Sequence, residues 1–191
     1  MSKFAPEKIN GETPFQFGET EQKFRLLDFW RWSASNLLDN TMRGMLAEYL
    51  VAVAVGAREK FRLEWSAWDL TLHNGTRIEV KSASHVQNWT QKKPSLIRFN
   101  IQPTRGWDEE RGEFDSVVVR QSDYYVFCVL NGKYSATVNP LNLAQWDFYV
   151  LPTELLNRCC GKQKSIGLSS IKKLGATRYS WYELRQWGMA K

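Results

Sequence analysis

The sequence predicts one α/β or α+β domain with appended segments, and three observations carry that expectation. A length of 191 residues is enough for one core and short for two. A capped, strongly apolar helical run over residues 39–56 precedes a hairpin signal at Asn74-Gly75 set between two alternating stretches. Farther on, residues 123–130 (Asp-Tyr-Tyr-Val-Phe-Cys-Val-Leu) have the continuous apolar character of a strand covered on both faces.

Composition narrows the class. No apolar run has membrane-spanning length, and residues 1–20 are polar and interrupted by Pro6, Gly11 and Pro14, so no membrane association and a soluble cytoplasmic protein are expected. Cys128, Cys159 and Cys160 have no CxxC spacing and no nearby histidine pair, which argues against a zinc site or a disulfide framework. The net charge is +6. Residues 151–191 hold 8 basic side chains against Glu154 and Glu183, leaving 18 of each sign before them, so the whole excess lies in this C-terminal segment. Such asymmetry suits a polyanion such as nucleic acid, and nine tryptophans add stacking candidates.

Taken in order, residues 1–20 read as an extended or poorly ordered arm and residues 21–191 as the domain. Phe24, Leu27 and Trp30 or Phe29 recur at helical spacing, so a short amphipathic helix is expected over residues 21–38, with a break at 33–35. In the next helix Asp39 or Asn40 supplies the cap, residues 42–55 the body and Gly56 the C-terminal stop. That helix is apolar nearly all round yet carries Glu48, whose neighbours one turn away are Gly44, Met45, Val51 and Ala52. Either Glu48 meets a cation, donors or water brought by another part of the fold, or it lies on a thin exposed stripe with Arg43, Gly44 and Ala47.

The stretch 68–81 decides the chemistry through its register. A two-residue turn would mix apolar and charged side chains on both faces of the ribbon. A three-residue loop, His73-Asn74-Gly75 with Gly75 left-handed, instead opposes Leu72/Thr76, Thr71/Arg77, Leu70/Ile78, Asp69/Glu79 and Trp68/Val80. One face is then apolar, and the other carries Asp69, Glu79, Arg77 and Lys81. Two carboxylates directly opposite repel, and a hard divalent cation offsets that repulsion. Mg²⁺ takes one or two carboxylates, keeps several waters and accepts a phosphate oxygen, with Lys81 beside it. The alternative is a merely solvated sheet face on which Lys81 balances the acids.

After the hairpin, residues 82–94 form a polar loop in which Lys92 and Lys93 can track a phosphate backbone. Residues 95–102 alternate: Ile97, Phe99 and Ile101 on one face, Arg98, Asn100 and Gln102 on the other, the latter joining the charged face if this strand lies beside residues 78–82. Residues 103–115 read as a charged excursion, 117–119 as a short strand, and Asn131-Gly132 as a second hairpin into 133–138. A helical turn at 140–146, a strand at 148–151, a helix at 152–158 with Pro152 at its first position, and short basic helices at 165–174 and 180–187 complete the chain. His73 reads as a turn residue and His85 as a solvated loop residue.

A helix with one carboxylate, then Asp, a nine-residue gap and Glu-x-Lys resembles the PD-(D/E)XK nuclease superfamily, which includes restriction endonucleases and junction resolvases. The matching residues are Glu48, Asp69 and Glu79-Val80-Lys81, within a core motif region of residues 39–102; Trp68 stands where that family has proline. The resemblance implies a restriction-endonuclease-like mixed central sheet flanked by helices. It also implies an Mg²⁺-dependent endonuclease acting on DNA, with Mn²⁺ as a substitute, often as a homodimer. Asp69, Glu79 and the Val80 carbonyl would hold the metal, Lys81 would assist the attacking water, and Glu48 would support the metal site. Beside a bound ion Lys81 is expected to have a lowered pKa. Lys92, Lys93, Arg98, Asn100 and Gln102 are the substrate-binding candidates. The competing expectation is an inactive nucleic-acid-binding or assembly module of the same fold.

Overall fold

The structure, a computed structural model, describes residues 7–57, 62, 66–108 and 112–191. Residues 1–6 of the expected arm and 109–111 of the expected excursion lie outside the described residues. The chain divides into two compact units, residues 1–37 and 38–191.

In the first unit, β1 (Pro14–Phe17) pairs antiparallel with β2 (Thr20–Arg25), and α1 (Leu26–Ala34) follows directly. Two expectations are corrected here. Part of the expected arm is a strand, because Phe15 and Phe17 alternate ahead of a turn at Gly18, whose φ of 61° favours glycine. The helix expected from residue 21 starts at Leu26, since residues 20–25 pair with β1 in the ribbon, where the rings of Phe15 and Phe24 pack tilted with centroids 4.8 Å apart. The Asp28 carboxylate accepts the Arg25 N–H at 2.8 Å and marks the true helix start.

The second unit opens with α2 (Asn40–Val55), whose N-terminal N–H groups at Thr41 and Met42 donate to Asp39 Oδ1, while Gly56 ends it at φ 63°. There follow β3 (Leu70–Thr71), β4 (Arg77–Ser84), β5 (Arg98–Asn100), β6 (Thr104–Asp108), β7 (Glu113–Val119) and β8 (Tyr124–Leu130). After a single 3₁₀ turn (Leu143–Gln145) come β9 (Trp146–Pro152), α3 (Thr153–Cys160), β10 (Ser165–Gly167), α4 (Leu168–Lys173), β11 (Thr177–Tyr179) and α5 (Trp181–Met189).

Five strands form the central sheet in the order β11-β9-β8-β4-β3, with β4 and β8 parallel and every other pair antiparallel, so the fold is mixed α/β. One face packs Leu70, Ile78, Val80, Val126 and Phe148 against α2 and Leu184 of α5. The two helices meet closely: a Cβ on Gly188 would lie 2.6 Å from Val55 Cα. The other face packs Phe127, Val129 and Leu151 with Phe99, Leu156, Ile166 and Ile171, from β5, α3, β10 and α4. Full burial of side chains such as Phe127 and Ile78 stabilises the fold by roughly 1.5–3 kcal/mol each.

Other expectations change at the level of partners. Residues 133–138 do not pair with β8; β9 does, and the intervening loop folds so tightly that a Cβ on Gly132 would lie 2.6 Å from Val138 Cγ2. Of the expected excursion, β6 pairs antiparallel with β7, which takes in residues 113–115 together with the short strand expected at 117–119. Pro152 precedes α3 as its N-cap instead of opening it, and residues 165–167 pair as β10 with β5.

Candidate active site

The hairpin adopts the three-residue loop. Gly75 sits at φ 89°, Leu72 N–H donates to Thr76 O at 2.9 Å, Asn74 Oδ1 accepts the Thr76 N–H, and Leu70 opposes Ile78 while Thr71 opposes Arg77. The apolar members go to the α2 face, which leaves Glu79 and Lys81 on the opposite one. The ladder stops at Leu70. Asp69 N–H returns to Ile78 O at 3.1 Å, and the Asp69 carboxylate turns onto the bare edge of β4, where it accepts the Val80 N–H at 2.7 Å. Trp68 does not extend the ladder to Val80; its indole donates to Thr71 Oγ1.

Lys81 donates directly to Glu79. Arg77, expected beside the acids, is tied instead to Asp123 through two guanidinium bonds of 2.7 and 3.1 Å. Glu48 lies on α2 with its side chain largely covered, and Arg62 supplies the cation its own helix lacks, through Nε at 2.6 Å and Nη2 at 3.4 Å.

The electrostatics tie these groups together. Burial, then the charge of Asp69, pushes the Glu79 carboxyl up to about 7, against the opposing pull of Lys81. Burial likewise raises Asp69 against Lys81 and the Val80 N–H, and raises Glu48, to which the field of Asp69 adds. For Lys81 burial acts downward, but the fields of Glu79, Asp69 and Glu48 together outweigh it and the net direction is up.

A cavity of about 70 Å³ opens at this face, lined among others by Glu79, Lys81, Asn100, Gln102, Arg120 and Tyr125. Asn100 and Gln102 are therefore brought to Glu79 and Lys81, although β5 pairs with β10 and not with β4; Asp69 and Glu48 are not among the residues lining this cavity. Arg98 is not: its guanidinium donates to Ser165 Oγ, and it lines a different hollow. Lys92 and Lys93 line a third.

Three residues at or beside the site escaped the sequence reading. Arg62 answers the isolated Glu48 and carried no local signal. Tyr125 sits beside Glu79 because β8 runs parallel to β4 in that register, and burial followed by the Glu79 charge drives its phenol above its ordinary range. Arg120 is buried and spent on position: it donates to Ile101 O and Asn157 Oδ1 at 2.8 Å and to Gln163 O at 3.4 Å, bolting α3 and the segment leading into β10 to the cavity wall.

The donor set suits a hard cation. No three His, Cys, Asp or Glu side chains among the described residues are grouped to hold an ion by themselves. Mg²⁺ needs only one or two carboxylates and completes its shell with water and phosphate, and Asp69 and Glu79, both partly buried, could supply that number. No described helix is long and apolar enough to cross a membrane. No curated protein matches the chain. Residues 20–170, which include α2, the hairpin and all the residues lining the cavity, match the family model of bacteriophage T4 endonuclease IV, and the chain belongs to that family.

Proposed function

We propose that the protein is an Mg²⁺-dependent endonuclease of the PD-(D/E)XK type that hydrolyses phosphodiester bonds in DNA. The observation that carries this reading is the pairing of two partly buried acids, Asp69 at the sheet edge and Glu79, whose carboxyl the Asp69 charge raises, with Lys81 bonded to the second. Membership in a family named for an endonuclease supports it.

Asp69, Glu79 and the Val80 carbonyl would hold the ion, with Mn²⁺ as a substitute. Val80 contributes because a strand residue's N–H and C=O point to the same side, and its N–H already faces Asp69. When bound, the ion supplies Lewis-acid polarisation of the phosphate and lowers the pKa of water. Its charge would ionise Glu79 fully at neutral pH, freeing Lys81 to donate to a phosphate oxygen or orient the attacking water. Glu48, braced by Arg62, adds negative potential behind the pair. Asn100 and Gln102 offer carboxamides to the phosphate from the cavity wall.

One observation favours a second reading. Lys81 donates directly to Glu79, as in a structural ion network belonging to a protein that binds nucleic acid without cutting it. Incubating plasmid and oligonucleotide DNA with native protein and Asp69→Asn, in Mg²⁺, Mn²⁺ and EDTA, separates the two. Cleavage by the native chain alone, in metal alone, is the expected result; DNA that is bound but intact supports the second reading.

A further inference from the structure

Away from the cavity, the loops following β4 and β8 enclose a groove of about 750 Å³. Its walls include Trp89, Lys92, Lys93, Pro94, Lys133 and Tyr134, and among the described residues no acidic side chain lines it. Trp89 is 55% exposed and Tyr134 73% exposed. A single exposed aromatic is ordinary, but two on separate loops facing one basic groove are not explained by packing.

Both loops are cross-tied by internal hydrogen bonds. Ser95 N–H donates to His85 O at 2.8 Å, closing the neck of the first, and the Gln91 amide cross-ties it to Ser95 Oγ at 2.9 Å while its Oε1 accepts the Gln87 N–H at 2.8 Å. In the second loop Tyr134 O accepts the N–H groups of Thr137 and Val138 at 3.1 and 3.0 Å, which fixes the backbone and leaves the ring outward. Ordered scaffolds that display aromatic rings beside lysines lower the entropy lost on binding a flat, charged partner.

We propose that this groove is a nucleotide subsite in which Trp89 and Tyr134 stack on an unpaired base and Lys92, Lys93 and Lys133 attract the flanking phosphates. The proposal deepens the nuclease reading and rests on it for the choice of nucleic acid as the polyanion. β4 joins the two places, since Lys81 lies about 13 Å along the strand from the start of the first loop at 3.3 Å per residue.

The test titrates a fluorescein-labelled oligodeoxynucleotide of about 12 bases into the full chain in EDTA, where cutting does not intervene. Stacking of this kind is worth about 1–3 kcal/mol per base, so Trp89→Ala and Tyr134→Ala should each weaken binding about 5- to 150-fold, while Trp89→Phe and Tyr134→Phe stay within about threefold of native. An abasic oligomer should bind more weakly and be indifferent to the alanine changes. Lys92→Ala with Lys93→Ala should reduce the slope of log affinity against log salt by about 1.4. Native-like binding by both alanine variants, an equal loss with the abasic oligomer, an unchanged salt slope, or no binding by the native chain overturns the proposal. Cleavage assays keep the two readings apart: a native chain that binds as described but cuts nothing refutes the nuclease and spares the groove, whereas native-like KM in Trp89→Ala and Tyr134→Ala of an active enzyme refutes the groove and spares the nuclease.

Discussion

Asp69 Oδ2 accepts the Val80 N–H at 2.7 Å, just beyond the last paired position of the edge strand, so one carboxylate both binds a backbone donor and, through its charge, raises the Glu79 carboxyl. Fold and chemistry share this side chain, and substitutions can separate the two roles. Asp69→Asn keeps an oxygen for Val80 and removes the charge. Its melting temperature in EDTA should stay within a few degrees of native, while Mg²⁺ binding by calorimetry disappears and cleavage drops about 10²–10³-fold, the size seen on removing one preorganised electrostatic group. A variant that still takes up Mg²⁺ would remove Asp69 from the metal site.

Glu79 should make stability fall with pH in metal-free protein. Its folded pKa, about 7, lies above the unfolded value near 4.3. Below about pH 4 both states keep the proton and nothing is lost. Between there and pH 7 the unfolded state has released it and the folded state has not, so stability declines, and it levels off above 7. Glu79→Gln should therefore equal native near pH 4 and exceed it at pH 8, by about 1–3 kcal/mol or several degrees in Tm. Thermal melts across pH check this, and a less stable Glu79→Gln at pH 8 refutes it.

Lys81→Ala should leave the Asp69–Glu79 repulsion unanswered. In EDTA at pH 8 the expected loss is about 1–3 kcal/mol, reduced from the cost of breaking a fully buried pair because both side chains keep some solvent contact. Added Mg²⁺ should close most of that gap by neutralising the same acids, yet activity should not return. Lys81→Arg restores charge and stability but not cutting, since a guanidinium is a different donor in shape and reach. Scanning calorimetry with and without Mg²⁺, alongside cleavage, reads all three.

The Glu48–Arg62 pair is partly open to solvent at the arginine. A thermal double-mutant cycle with Glu48→Gln and Arg62→Gln should give a coupling of about 0.5–1 kcal/mol. A coupling near zero would make Arg62 a bystander.

Gly75 holds the register at φ 89° with open space around its missing Cβ. Gly75→Ala should cost about 1 kcal/mol from left-handed strain alone, and Gly75→Val more, with Gly75→Asn tolerated best. If activity falls in step with these changes in Tm, the loop sets the acids' geometry.

What the sequence determined by itself was local. Asp39 and Gly56 bounded α2 because a capping carboxylate and a left-handed glycine act within one turn of chain. The register of the hairpin, and with it the side on which Glu79 and Lys81 lie, followed from turn chemistry and two-residue alternation. Tertiary structure decided the partners. Every strand offers the same row of N–H and C=O groups, so Asn131-Gly132 could signal a turn without revealing that β9 was the strand to pair with β8, and β5 could alternate cleanly yet pair with β10. Glu48 could have met a cation, donors or water from elsewhere or lain on an exposed stripe, and only the tertiary structure put the Arg62 guanidinium against it. Parallel pairing of β4 with β8, a contact across more than forty residues, set Tyr125 beside Glu79 and supplied part of the cover that raises the Glu79 carboxyl. Burial comes from the whole chain closing on itself, and no short stretch of residues encodes it.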